Sequence, residues 1–203
     1  MASRVMHLLV ADRVVEEFDL HDKARVLLGS VAPDGHNNQR DQTHFKGPRY
    51  GWSDVTPYQY GRFVAKYHER FSDGFFIGYL THLVADDVWA SAVYFSGVKE
   101  RLQSGGAYFA TLYRDFYLAN AKLLEKPNRR ELCRALESGS GGCDEIDQEA
   151  MERVKQDALR DFDYPASNVD EPLAVLAMDM IEACIERAAI RAIDVAQPWI
   201  DGK

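Results

Sequence analysis

Cysteine is scarce in this chain of 203 residues: Cys133, Cys143 and Cys184 stand far apart, with no CxxC pair. That pattern fits neither a disulfide framework nor a thiolate zinc site, and the thiols read as reduced bystanders. Positive charge is also in deficit. The formal net charge of −8 argues against general binding to nucleic-acid backbones or anionic membrane, because both reward a concentrated basic surface. No segment has the length and uninterrupted apolarity of a membrane span. The start of the chain, with His7 and charges interrupting a short apolar run, lacks the pattern of a secretory signal. These absences lead to the expectation of a cytoplasmic protein with no transmembrane segment and no nucleic-acid partner. The glycine-rich run from Ser138 to Gly142 has no Walker Lys-Ser/Thr after it and no strand before it, so a flexible linker over 138–143 is expected instead of a phosphate loop.

Apolar residues recur at helical spacing. A first helix is expected from Ser3, as N-cap, to Glu17, and a second after Asp22, ending near Gly29. A third should start at Thr56-Pro57 and run to Phe71, with Pro57 at its first position. Ser72 or Asp73 should cap a central helix, and the aromatic-rich stretch from Ala107 to Leu124 should pack on it. Asn128 should cap a short helix through Leu136, Asp147 to about Asp161 reads as a charged helix, and a final helix is expected from about Asp170 to Gln197. With 46% hydrophobic residues, no internal repeat and no convincing alternation of strands, the expectation is one all-α domain over 1–203, a multi-helix bundle.

Two stretches carry chemistry. From Pro33 to Ser53 the chain is polar and punctuated by glycine and proline, with His36, His44, Arg40, Lys46 and Arg49 interleaved with aromatics. A long irregular loop in a compact domain is often functional, and 33–53 reads as a polar active-site loop. On the central helix, His82 and Asp86 are four residues apart, so their side chains leave one face a turn apart. An imidazole and a carboxylate from one rigid helix suit a divalent ion. A hydrogen-bonded core pair is the other reading of those two residues.

Taken together, Arg4 to Leu8, Leu28 to Asp34, Thr43-His44-Phe45 and the stretch from Gly78 to Asp86 resemble the bacterial zinc-dependent phospholipase C family. Its wider superfamily includes single-strand-specific zinc nucleases. The resemblance covers about the first half of the chain. It implies an all-helical fold and hydrolysis of phosphate esters at a zinc cluster. It assigns Asp34, His44, His82 and Asp86 to one metal, with Asp86 bridging to a second that also takes His7. No His follows His82, so one or two ions are expected where the family holds three. Zn²⁺ is the expected metal; Mn, Fe and Ni also accept such ligands.

A metal there would activate water against a phosphodiester or phosphomonoester, phospholipid-like esters included, with Asp34 orienting or deprotonating it. Arg40, Lys46 and Arg49 could hold phosphate oxygens, or be solvated loop residues. Asp115 and Asn120, near Tyr113 and Tyr117, lie on a helix expected to face the site, where Asp115 could orient a ligand His. His36 is expected to be exposed in its turn. Two alternatives stand beside a small-molecule phosphoesterase. One is a non-catalytic or sensing protein with a structural metal clamp. The other is an HD-type phosphohydrolase built on His21-Asp22, a pair that can equally open a helix.

Overall fold

Ser3 starts the first helix: its hydroxyl accepts the backbone N–H of Met6, satisfying a donor that the first turn leaves open. That helix, α1, runs Arg4–Phe18. The computed structural model describes residues 2–37, 39–47, 58–95, 97, 106–125 and 129–200. Helix α2 (Lys23–Val31) tightens into a 3-10 turn at Ala32–Asp34, and α3 (Arg40–Thr43) is a single turn. Helix α4 (Tyr60–Tyr67) continues as a 3-10 turn at His68–Arg70. Then come α5 (Gly74–Phe95), α6 (Gly106–Leu124), α7 (Arg129–Ser138), α8 (Gln148–Arg160), α9 (Ser167–Asp170) and α10 (Met178–Ile200). Among the described residues there is no strand, only the isolated bridges Lys46 with Tyr58 and Cys143 with Ile146. The protein is an all-α multi-helix bundle. Among the same residues, no helix is long and apolar enough to cross a membrane.

Helix α5 is the axis. Every residue from 74 to 86 is buried, as expected of a helix that is apolar on all sides. Arg25 on α2 clamps Asp73 with Nε at 2.8 Å, and Asp73 in turn caps α5 by accepting the Phe75 N–H at 3.0 Å. Helices α2 and α5 cross with backbones in contact: a Cβ on Gly29 would overlap the Phe75 carbonyl, and one on Gly78 the Val26 carbonyl. Only glycine permits that approach. Helix α10 lies along both α5 and α1.

Several sequence expectations are corrected here. The glycine-rich segment is packed against the bundle: a Cβ on Gly139 would lie 2.6 Å from the Ala24 carbonyl, and Lys155 donates to the Gly139 carbonyl at 2.9 Å. Gly139 and Gly141 serve close approach, where composition alone suggested a flexible linker. Helix α10 begins at Met178, not near Asp170, because Ala174, Val175 and Leu176 give their N–H groups to the Asp115 carboxylate. Helix α6 packs mainly on α9 and α1, touching α5 through the Trp89–Phe116 ring pair at 5.7 Å. The expected helix start at Thr56-Pro57 and the Asn128 cap lie outside the described residues.

Candidate metal centre

The glycine crossing places the carbonyl of Ser30, on α2, one turn from Gly78 along α5, where it accepts His82 Nδ1–H at 2.8 Å. His44, just past α3, donates from Nδ1 to the Arg40 carbonyl at 3.0 Å, with Thr43 Oγ1 also 3.0 Å away. In a neutral imidazole, a proton on Nδ1 leaves the Nε2 lone pair as the only acceptor. The hydrogen bonds therefore assign both rings the same tautomer, and the two Nε2 atoms face each other at 3.3 Å. Two bare lone pairs in that position repel. A shared cation relieves the conflict, and two nitrogens each about 2.05 Å from a tetrahedral ion stand about 3.3 Å apart.

Carboxylates close the rest of the shell. His44 Nε2 is 3.6 Å from Asp34 Oδ1 and 3.6 Å from Asp86 Oδ2, and His82 Nε2 is 3.9 Å from Asp86 Oδ2. From α1, His7 stacks on His82 with ring centres 3.8 Å apart, and its Nε2 lies 3.5 Å from the other oxygen of Asp86. Among the described residues, neither ring nitrogen of His7 has a hydrogen-bond partner, although both are buried. A buried donor left unpaired costs about 1–3 kcal/mol, so a ligand is the economical explanation. Among the described residues, two groups have ligand atoms within 4.8 Å of one another: His7, Asp34 and His82; and His44, His82 and Asp86.

Electrostatics match a cation site. Burial, with His7 nearby, pushes the His82 imidazole down to about 3, keeping it neutral and able to ligate. Burial alone would raise both carboxyls. For Asp34 the surrounding imidazoles of His44, His82 and His7 outweigh burial, and the group stays well below the usual carboxylate range. Asp86 is likewise held low, with His7 among the groups that outweigh its burial. Two buried carboxylates beside a neutral imidazole need positive charge to be stable.

Asp86 has further partners that fix it. The Ala2 N–H donates to Oδ1 at 2.9 Å and the Tyr58 hydroxyl to Oδ2 at 2.9 Å. Tyr58 reaches in because Phe45 adopts a left-handed φ of 48°, turning the chain sharply after His44 so that Lys46 pairs with Tyr58. A bulky residue takes that conformation only when its surroundings hold it, and the Phe45 ring is wedged against Phe63 at 5.2 Å and Tyr79 at 6.2 Å. Asp34 links this buried cluster to a cleft of about 370 Å³. One wall of the cleft is aromatic, with Trp89 from α5 and Tyr113, Phe116 and Tyr117 from α6; Arg4, Arg40 and Asn120 supply polar groups.

The structure thus brings together His7, Asp34, His44, His82 and Asp86, with Arg40 Nη2 3.6 Å from Asp86. Lys46 does not line the cleft but sits over the Tyr58 ring at 5.1 Å, and Arg49 lies outside the described residues. Asp115 is not beside the cluster: its carboxylate is spent on the 174–176 backbone, correcting the expectation that it orients a ligand His. Tyr113, Tyr117 and Asn120 do face the cleft. His36, expected to be exposed, is half-buried, its ring 6.2 Å from that of His44. His21 and Asp22 are exposed, Asp22 pairs with Arg25 at 3.2 Å, and neither belongs to a ligand group among the described residues. Sequence reasoning missed Arg4, although its position one turn before His7 on the same helix face was the available signal. Comparison of the chain with known protein families, curated proteins and solved structures finds no match.

Proposed function

We propose that this chain is a metal-dependent hydrolase of phosphate esters, related to the zinc-dependent phospholipase C type. The observation that carries the reading is the pair of Nε2 lone pairs of His44 and His82, facing at 3.3 Å with two buried carboxylates around them. Asp34, His44, His82 and Asp86 would hold one ion, and His7 with the second oxygen of Asp86 would hold another. A bound divalent ion supplies Lewis acidity, lowering the pKa of water towards about 7 and drawing charge from a phosphoryl oxygen. The chain's own groups supply position. Asp34, at the boundary of cluster and cleft with a buried Oδ1 that lacks a partner among the described residues, is placed to orient a water or take its proton. Arg40 offers donors to non-bridging oxygens.

Zn²⁺ is the proposed metal, with Mn, Fe or Ni chemically acceptable to the same donors. A cytoplasmic, small-molecule phosphoester fits the net charge of −8 better than a nucleic acid. A structural clamp in a non-catalytic or sensing protein would need a closed shell, whereas the opening of Asp34 onto the cleft favours catalysis. The test is elemental analysis of wild type, His82→Ala and Asp86→Ala, with turnover of p-nitrophenyl phosphate and bis(p-nitrophenyl) phosphate on the same samples. Bound metal in wild type, lost together with turnover in both variants, is expected. Absence of metal after reconstitution would return His82 and Asp86 to a hydrogen-bonded core pair, and metal without turnover would favour the clamp.

A further inference from the structure

Two arginines stand at the cleft where Asp34 opens into it. Arg4 is held from behind by Asp161, with Nε to Oδ2 at 2.8 Å and Nη2 to Oδ1 at 3.1 Å. Arg4 lines the cleft, so a guanidinium anchored in this way stands at its wall. Arg40 lines the same cleft, and its Nε is buried without a partner among the described residues. An unpaired buried guanidinium donor calls for a ligand acceptor. Beside this polar end stands one apolar wall, formed by Trp89, Tyr113 and Phe116.

We propose that the substrate is a small phosphomonoester with a single aromatic or similarly flat, apolar alcohol arm, its terminal phosphate held between Arg4 and Arg40. This rests on the phosphoesterase reading above and deepens it. A terminal phosphate is a dianion near neutral pH and has three non-bridging oxygens, which matches two separate guanidinium donors; a diester carries one negative charge and a second organic arm. The arm lies on the aromatic wall, where ring-on-ring contact adds to area burial. The cleft volume of about 370 Å³ suits a small ester. In the reaction, the water oxygen bonds to phosphorus, the ester P–O bond breaks, the arm leaves as an alcohol with one proton, and hydrogen phosphate remains.

The experiment uses the full chain incubated with Zn²⁺ and reads binding by calorimetry, which does not depend on leaving-group chemistry. The probes are phenylphosphonate, its monoanionic methyl ester, and methylphosphonate. Phenylphosphonate should bind about tenfold tighter than either other probe, and Arg4→Gln and Arg40→Gln should each lose about tenfold of that affinity with little change for the monoanion. Tyr113→Ala is the variant whose folding is not at stake, since Tyr113 is 62% exposed. It should weaken phenylphosphonate and leave methylphosphonate unchanged. Equal affinity for dianion and monoanion, or folded arginine variants that bind like wild type, overturns the proposal. Hydrolysis of diesters with monoesters ignored also overturns it, while leaving the phosphoesterase reading intact. Arginine-dependent phosphonate binding with no turnover of either ester would support the anion site and count against catalysis.

Discussion

His82 Nδ1 donates to the backbone carbonyl of Ser30 at 2.8 Å, across two helices whose backbones touch through Gly29 and Gly78. The bond selects the tautomer that points Nε2 at His44, so the helix crossing and the ligand geometry are one feature of the fold.

Enlarging either glycine should therefore damage the site without touching a ligand. In Gly78→Ala the new methyl meets the Val26 carbonyl, and in Gly29→Ala the Phe75 carbonyl; both are backbone atoms that cannot rotate away. Each change should cost about 1–3 kcal/mol or more by overpacking, and metal content should fall with it. Gly61→Ala on α4 is the control, because nothing lies within 4 Å of its added Cβ. Thermal melts and elemental analysis on the three variants decide the matter, and wild-type metal content in Gly78→Ala would count against the coupling.

Tyr58 holds Asp86 from outside the ligand set. Burial, with the adjacent Asp86 carboxylate, pushes the phenol well up, so it remains a donor at every working pH. Tyr58→Phe removes only that hydrogen bond, and metal affinity should drop by about 10- to 100-fold with the fold retained. Chelator competition against wild type measures the change.

Asp115 should behave as a structural residue. It is 1% exposed, and its carboxylate takes three backbone N–H groups, from Ala174, Val175 and Leu176. Asp115→Ala strands those donors and should cost about 3 kcal/mol, while the metal stoichiometry of the folded fraction stays that of wild type. A variant that melts normally yet loses metal would place Asp115 in the site after all.

Acid should weaken the clamp between α2 and α5. Burial alone would raise the Asp73 carboxyl, but the Arg25 hydrogen bond and the Phe75 N–H outweigh it and lower the group below its ordinary value. A folded value below the unfolded one, about 3.9, means stability that is fully present above about pH 4 and lost as pH falls through the folded value. Asp73→Asn should thus be less stable than wild type at neutral pH, with the difference shrinking towards zero in strong acid. Urea titrations across that range read the difference directly, and a gap that widens in acid would mean that the Asp73 carboxyl is raised, not lowered, by folding.

The parts of the fold legible in the sequence were those decided within a few residues. Helical spacing found α1 with its Ser3 cap, the central α5, and α8 after Asp147; the Asp147 side chain does accept the Ala150 N–H at 2.7 Å. Four-residue spacing put His82 and Asp86 on one face. It did not link them to His7, Asp34 or His44, which a family resemblance alone pointed to, because no local period relates residues on α1, a 3-10 turn and the end of α3.

Where helices begin and what a polar side chain does depended on partners far along the chain. Asp115 delays α10 by binding N–H groups some sixty positions later, with sequence separations of 59, 60 and 61. The glycines at 139 and 141 read as a linker until Ala24 and Phe75 are packed against them. Arg4 became a cleft residue only when Asp161 fixed its guanidinium. Sequence by itself determined the helical class, the caps and the His82–Asp86 pair, since these follow from backbone period and local hydrogen bonding. Tertiary structure decided which imidazole nitrogens face each other, which buried donors go unpaired and which arginines reach the cleft, because those depend on the distances at which separate helices meet.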